Sequence, residues 1–428
     1  MPDFKEDLLQ YIWQHKLLNP APLISNNGKQ IFILSPGELN KDSGPDFFNS
    51  KIKIEDLILV GNIEVHIKTS DWLKHNHQND KNYNNIILHV VYENDILLSQ
   101  NKNNNVEVLE IKNLIPQNLI AQYHNIITTK QTLACANQLQ DVSDVKFTLW
   151  IDRMFTERLE YKTKNIEQLF ENYKGDYLQT FYTVLLRNFG FKVNALPFEL
   201  LAKQLPIKIL LKHANNLLQL EALLLGSSGL LEQQLSHKYI IQLQNEFEFL
   251  KNKYQIVPLQ KELFKFSRLR PANFATLRLA QFAKLIFTCP ELFNAPHTFN
   301  SYDKILNALS IKMEDYWKNH YHVKGNEVEK EIQLGESSIS NIITNTFANF
   351  FFFYFKKTAI TEFESIPHQL LEKCAFENNV KTKLYLKKKA LLKNAADSQA
   401  LINLHDNYCS KRKCLSCGIA SAILKSAL

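Results

Sequence analysis

The sequence predicts an α+β protein: a small mixed α/β sheet domain over residues 1–115, followed by a large all-helical region over 116–428. Three observations predict it. In the first quarter the apolar residues come in short runs rich in Val, Ile and Phe. The clearest of these alternates with period two between Asn, Asp and Gly, which is strand patterning. From about residue 115 onward they recur at i, i+3, i+4 and i+7, which is helix patterning. Glycine is scarce, at 11 residues in 428, and no G-x-x-x-x-G-K-[ST] or G-x-G-x-x-G string occurs, which argues against a glycine-rich nucleotide-binding fold.

Taken in order, residues 4–17 read as an acidic amphipathic helix. Residues 30–34 (QIFIL), 48–54, 57–68, 86–93 and 106–111 read as strands, with polar loops at 79–85 and 101–105. Helical segments follow at 145–173, 177–189, 230–253, 273–287 and 338–357, with boundaries expected at Pro197, Pro206, Pro258, Pro271, Pro290 and Pro367. No fixed-period repeat is visible. The most apolar stretch, 341–357 (NIITNTFANFFFFYFKK), is interrupted at helical spacing by Asn341, Asn345 and Asn349. Fewer than ~18 clean apolar residues are left, too few for a membrane span. It reads as a buried core helix, and no membrane partner is expected. The start, MPDFKEDLLQYIW, is not a charged-then-apolar leader, so a cytoplasmic protein is expected. A net charge of +7 and a pI near 8.8 are mildly basic and suit an anionic partner such as nucleic acid.

The chemistry-bearing stretch is SGPDFFNSKIKIEDLILVGNIEVHIKTSD. On a strand, Glu64, His66 and Lys68 share one face while Ile63, Val65 and Ile67 share the other. Asp46, after the Gly44-Pro45 turn, supplies a second carboxylate if its strand pairs alongside. Two acids and a nearby base are what a magnesium-dependent phosphodiesterase needs, because carboxylates hold the hard cation. Asp46 and Glu64 are therefore the expected ligands for Mg2+ or Mn2+. Lys68 or His66 is the expected group to stabilise charge or take a proton. The plain alternative is an ordinary polar sheet face. Glu38 is a further acid in the preceding loop. His75 and His77 sit in a loop, placed to donate protons to phosphate or to bind a transition metal. His89 lies in a run apolar on both faces, as a core histidine or as part of the same cleft.

A second constellation is Cys409, Cys414 and Cys417 in HDNYCSKRKCLSC. Three thiols so close read as metal ligands, for Zn2+ or an iron–sulfur cluster, with the fourth ligand from His405, Cys135 or Cys374. The basic loop Lys411–Arg412–Lys413 is expected to lower the thiol pKa values. Lys381, Lys383, Lys387, Lys388, Lys389 and Lys393 either track phosphates or form a solvated face. Arg268, Arg270 and Arg278, beside Asn273 and Gln281, either grip phosphates or bases or pair with helix ends.

The layout of an aspartate followed by an acid on the next strand resembles the PD-(D/E)XK nuclease superfamily, a restriction-endonuclease-like fold. Asp46 and Glu64 match its metal-binding acids, and His66 stands where it has lysine, with Lys68 two residues further on. Several nucleases of that superfamily pin the C-terminus with a cluster held by one distant and three C-terminal cysteines, an arrangement Cys135 would fit. The strings SGPDF, GNIEVHIKTSDW, ILHVVYEND, LGESSISNIITNT and YCSKRKCLSC resemble a bacterial family known as domain of unknown function 2851, over essentially the whole chain. The leading expectation is a Mg2+- or Mn2+-dependent nuclease acting on DNA or RNA. Its rivals are a non-catalytic nucleic-acid-binding or assembly protein that keeps the fold, and a structural zinc or iron–sulfur protein that binds a small anionic ligand.

Overall fold

The computed structural model describes residues 4–97, 106–231, 237–325, 327–329 and 331–426. The fold is α+β. The chain makes two compact units: one of Met1–Ile151, Leu384–Lys388 and Leu404–Leu428, the other of Asp152–Lys383 and Lys389–Asn403.

In the first unit helix α1 (Glu6–Gln14) precedes strands β1 (Leu23–Ile24), β2 (Gln30–Ser35), β3 (Glu38–Leu39), β4 (Phe47–Ile54), β5 (Leu57–Lys68), β6 (Ile86–Glu93) and β7 (Glu107–Glu110). They form one seven-stranded sheet in the order β1-β2-β4-β5-β6-β7, with β3 on β4. Pairing is antiparallel as far as β5 and parallel for β5–β6 and β6–β7. The five strands read from alternation are all present. The two-residue strands β1 and β3 are too short to carry a period. The loop expected at 101–105 lies outside the described residues. Helix α1 forms because Leu8, Leu9, Ile12 and Trp13 lie on one face and are fully buried, while Glu6 and Asp7 occupy the first turn, where the helix dipole favours acids.

Both faces of β5 are covered from Ile63 to His66. Ile63 and Val65 are buried as the alternation requires, but so are Glu64 and His66, at 5% and 1% exposure. A strand with a parallel partner is commonly packed on both sides, and here one of those sides is polar.

The second unit is helical. Ala275–Thr288 is buried through Ile286, and Leu220 to Ser227 are buried in Leu217–Ser227. Of the helix expected over 230–253, Lys238–Tyr254 is helical and capped by His237, whose ring accepts from the Tyr239 N–H at 3.2 Å; residues 232–236 lie outside the described residues. Pro197 does not end a helix; it lies in the first turn after a kink at Asn194 (φ −109°, ψ 16°), where a missing N–H costs little. The segment expected as one helix over 338–357 is Glu336–Ile342, a π-turn at Ile343–Phe347, and Ala348–Thr358. The interrupting asparagines serve that turn: Asn345 Nδ2 donates to the Asn341 carbonyl and Asn349 Nδ2 to the Asn345 carbonyl, each at 2.9 Å. Phe350, Phe351 and Phe353 are fully buried. Among the described residues no helix is long and apolar enough to cross a membrane.

One buried acid sets a pH dependence. Glu221, 1% exposed, accepts from Tyr239 Oη at 2.7 Å and Trp317 Nε1 at 2.9 Å. Burial pushes its carboxyl from the usual 4.5 up to about 7. The native state therefore holds a proton that the unfolded chain has released, so stability is full below pH 4.5 and declines as the pH rises through about 7. Urea unfolding should show a loss of up to about 3 kcal/mol between acidic and mildly alkaline pH. Glu221→Gln, which still accepts from both donors, should remove the Glu221 share of that decline and leave the share set by Asp46 and Glu64.

Candidate active site

Asp46 and Glu64 meet because of a bulge. Along the hairpin Ser50 pairs with Gly61, and that register, continued, would set Asp46 opposite Val65. An irregularity between Phe47 and Ser50, with Asn49 left-handed at φ 54°, pairs Phe47 with Ile63 instead. Asp46 then stands opposite Glu64, on the same face of the sheet. A one-residue slip exchanges the faces of a strand. The approach is set by Gly44 (φ 105°) and by Asn40, whose side-chain amide donates to the carbonyls of Asp42, Ser43 and Pro45.

The pair is tied to the backbone. The Asp46 N–H donates to Glu64 Oε2 at 3.1 Å, and Asp46 Oδ2 accepts from the Val65 N–H at 2.9 Å. Asp46 Oδ1 accepts from Gln10 Nε2 at 2.8 Å. Burial pushes both carboxyls above the usual carboxylate range, and the Asp46 charge raises Glu64 further. Glu6, half-buried on α1, adds to the same repulsion and accepts from the Ile67 N–H. Glu6 and Gln10 were not found from sequence. Their signal was present, as a polar pair one helical turn apart beside the apolar face of α1.

Four histidines cluster beside Glu64, and two of them reach its carboxylate. His66 Nε2 and His77 Nε2 stand 3.4 and 3.3 Å from Glu64 Oε1. His66 Nδ1 is 2.8 Å from His89 Nε2, and His66 Nε2 is 3.1 Å from His75 Nδ1. His89 is placed by the parallel register, which sets it beside Glu64. It is at once fully buried and part of the cluster. His75 and His77 follow the short helix α2 (Asp71–Lys74), with left-handed Asn76 (φ 61°) turning the chain between them. His77 stacks on Tyr83 at 3.8 Å between ring centres and packs edge-on to Trp72. Burial, and then the neighbouring imidazoles, lower His66 to about 2, His89 to about 3 and His77 to about 4. These rings are neutral at pH 7, the form that ligates metals.

Lys68 faces elsewhere. Its Nζ is 3.8 Å from Glu93 and 3.9 Å from Asp95. Glu38 is exposed on β3. Of the basic residues, Lys388 is buried and donates to the Val142 carbonyl and Asp144, and Arg278 is buried against Asn273, Gln281 and Ser338, so neither offers its charge to a phosphate. The side chains of Lys387 and Lys389 lie outside the described residues.

The cysteines form a second centre in the same unit. Cys135, Cys409, Cys414 and Cys417 are all free thiols, and the last three are near enough to Cys135 to raise its pKa. Arg412 draws their loop in by donating to the carbonyls of Thr129 and Gln131 at 3.0 and 2.8 Å. Cys374 belongs to the helical unit, beside Ser340 and Thr344, and His405 is paired with Asp406. The expectation of lowered thiol pKa values is overturned. Burial raises Cys409 to about 11 and Cys417 to about 12, outweighing Arg412, which opposes the shift at Cys409 and Cys414.

Residues 6–380 match the model of the family described as "Protein of unknown function (DUF2851)", and the chain belongs to this family. No curated protein and no solved structure matches it.

Gly418 begins the last helix directly after Cys417, and a Cβ there would collide with the Trp150 ring. Gly418→Val should therefore destabilise the protein by about 1–3 kcal/mol, measured by thermal or urea unfolding. An unchanged midpoint would mean that Trp150 is free to move aside.

Proposed function

We propose that this protein is a metal-dependent phosphodiesterase, a nuclease acting on DNA or RNA. The observation that carries the reading is the Asp46–Glu64 pair: two carboxyls shielded from water, opposed across a bulge and joined by the Asp46 N–H. A divalent cation held there, Mg2+ or Mn2+, would polarise a bound phosphate and activate the attacking water. The donors fit such an ion. Each carboxylate oxygen that accepts one hydrogen bond keeps a further lone pair, and the mutual repulsion of the acids is relieved by positive charge. Gln10 and the Val65 N–H orient Asp46, and Glu6 stands by as a third acid. His66, in the place of the superfamily's lysine, is neutral and suited to exchanging a proton with a phosphate or a water.

One observation favours a second reading, a nucleic-acid-binding protein that has kept the fold without the chemistry. Of the two groups expected to stabilise charge, His66 is neutral and Lys68 is turned toward Glu93 and Asp95. The cysteines support a structural role in either reading. Cys135, Cys409, Cys414 and Cys417 would be the ligands of a zinc ion or an iron–sulfur cluster that ties the C-terminal segment to the sheet unit.

The test compares cleavage of labelled single- and double-stranded DNA and RNA, with Mg2+ or Mn2+, by the wild type and Glu64→Ala. Metal-dependent cleavage should fall by roughly 100-fold or more in the variant. Absent or equal cleavage would put the binding reading ahead. For the cysteine centre, elemental analysis should find zinc or iron in the purified protein and much less of it in Cys135→Ser. Equal metal content in the two would remove Cys135 from the ligand set.

A further inference from the structure

We propose that His66, His75 and His77 form a binding site for a first-row transition-metal ion of the Zn2+ or Fe2+ class. It shares Glu64 and His66 with the phosphodiesterase reading and adds His75 and His77, which that reading does not use.

The geometry is that of ligands already gathered. One nitrogen from each ring lies within 4.8 Å of the other two. His66 Nε2 and His75 Nδ1 are 3.1 Å apart, and Glu64 Oε1 lies 3.4 Å from His66 Nε2 and 3.3 Å from His77 Nε2. Metal–nitrogen bonds of about 2.0–2.1 Å in a tetrahedral site set neighbouring donors roughly 3.3–3.4 Å apart. His66 and His75 already stand at about that spacing, and His77 is close enough to join them by a small shift of its ring. His77 Nε2 is buried and makes no well-aligned hydrogen bond, with Glu64 Oε1 as its polar neighbour at 3.3 Å. A buried polar atom left unsatisfied is costly, and an ion at this point accounts for it.

The surroundings are those of a ligated imidazole. A metal-bound histidine normally donates its other N–H to a fixed acceptor, and His66 Nδ1 faces His89 Nε2 at 2.8 Å. The His77 ring is held by Tyr83 and Trp72. His75 is exposed, which gives an ion a way in and leaves a coordination position toward solvent. Glu64 supplies the carboxylate that offsets the charge of the ion. Imidazole suits zinc and iron and binds Mg2+ poorly, whereas carboxylates suit Mg2+ and Mn2+. The protein would then sort two kinds of cation on the two sides of one glutamate.

The experiment uses full-length protein stripped with chelator and titrated with Zn2+ by calorimetry in the presence of excess Mg2+. His75→Ala is the variant, because an exposed side chain can be removed without loss of packing. Besides any Zn2+ taken up by the cysteines, the wild type should bind one equivalent that Mg2+ does not displace, and His75→Ala should bind that equivalent at least ~10-fold more weakly. The cysteines are common to both proteins and cancel in the comparison. Co2+ in place of Zn2+ should add visible bands, without a thiolate charge-transfer band, that His75→Ala lacks. Equal affinity and stoichiometry in the two proteins would overturn the site. Zinc uptake is read without nucleic acid. A protein that gains this equivalent yet cleaves nothing would support the site and count against the phosphodiesterase alone.

Discussion

The sheet unit depends on one irregular step in β4. Without the extra residue between Phe47 and Ser50, Asp46 would face the apolar side of the sheet, opposite Val65. With it, two carboxyls meet where water is largely excluded, and the rest of the site follows from that burial. The backbone N–H groups of Asp46, Val65 and Ile67 are spent on carboxylates. These bonds reduce the cost of burying Asp46, Glu64 and Glu6 without removing the repulsion among them.

The histidines next to Glu64 answer that repulsion only in part. Protonated imidazoles would neutralise the acids, but burial and crowding keep His66, His77 and His89 uncharged. Acids without counter-charge beside bases without protons make a local arrangement that costs stability. Such arrangements are found where a ligand, commonly a cation, supplies what is lacking. Trp72, Tyr83 and Ile86 form a small apolar core that holds His77 in place at that cost.

Much of this was legible in the sequence, for physical reasons that differ residue by residue. Alternation gave the strand of Glu64 and His66, and the turn at Gly44-Pro45 marked Asp46. The bulge was not legible, because Asn49 in FFNSK carries no pattern that separates a bulge from a regular strand. Glu6 and Gln10 were hidden because a helix near the N-terminus shows only its own apolar stripe and not the strand it meets. His89 was ambiguous, since an apolar run on both sides of a strand is the same for a core and for a walled cleft. Lys68 was misleading in one respect. Alternation places it on the face of Glu64, but four residues along a strand is about 13 Å, far enough for Glu93 and Asp95 to capture it. At the C-terminus, spacing grouped Cys409, Cys414 and Cys417. Spacing could not show that the fold brings Cys135 near those three thiols while Cys374 lies in the helical unit.

The central claim is that Asp46 and Glu64 jointly hold a divalent cation. Anomalous diffraction from crystals grown with Mn2+, recorded at the manganese edge, tests it most directly. The account predicts a peak about 2.2 Å from an oxygen of each carboxylate. Manganese signal confined to the histidines or the cysteines, with none between Asp46 and Glu64, would contradict it.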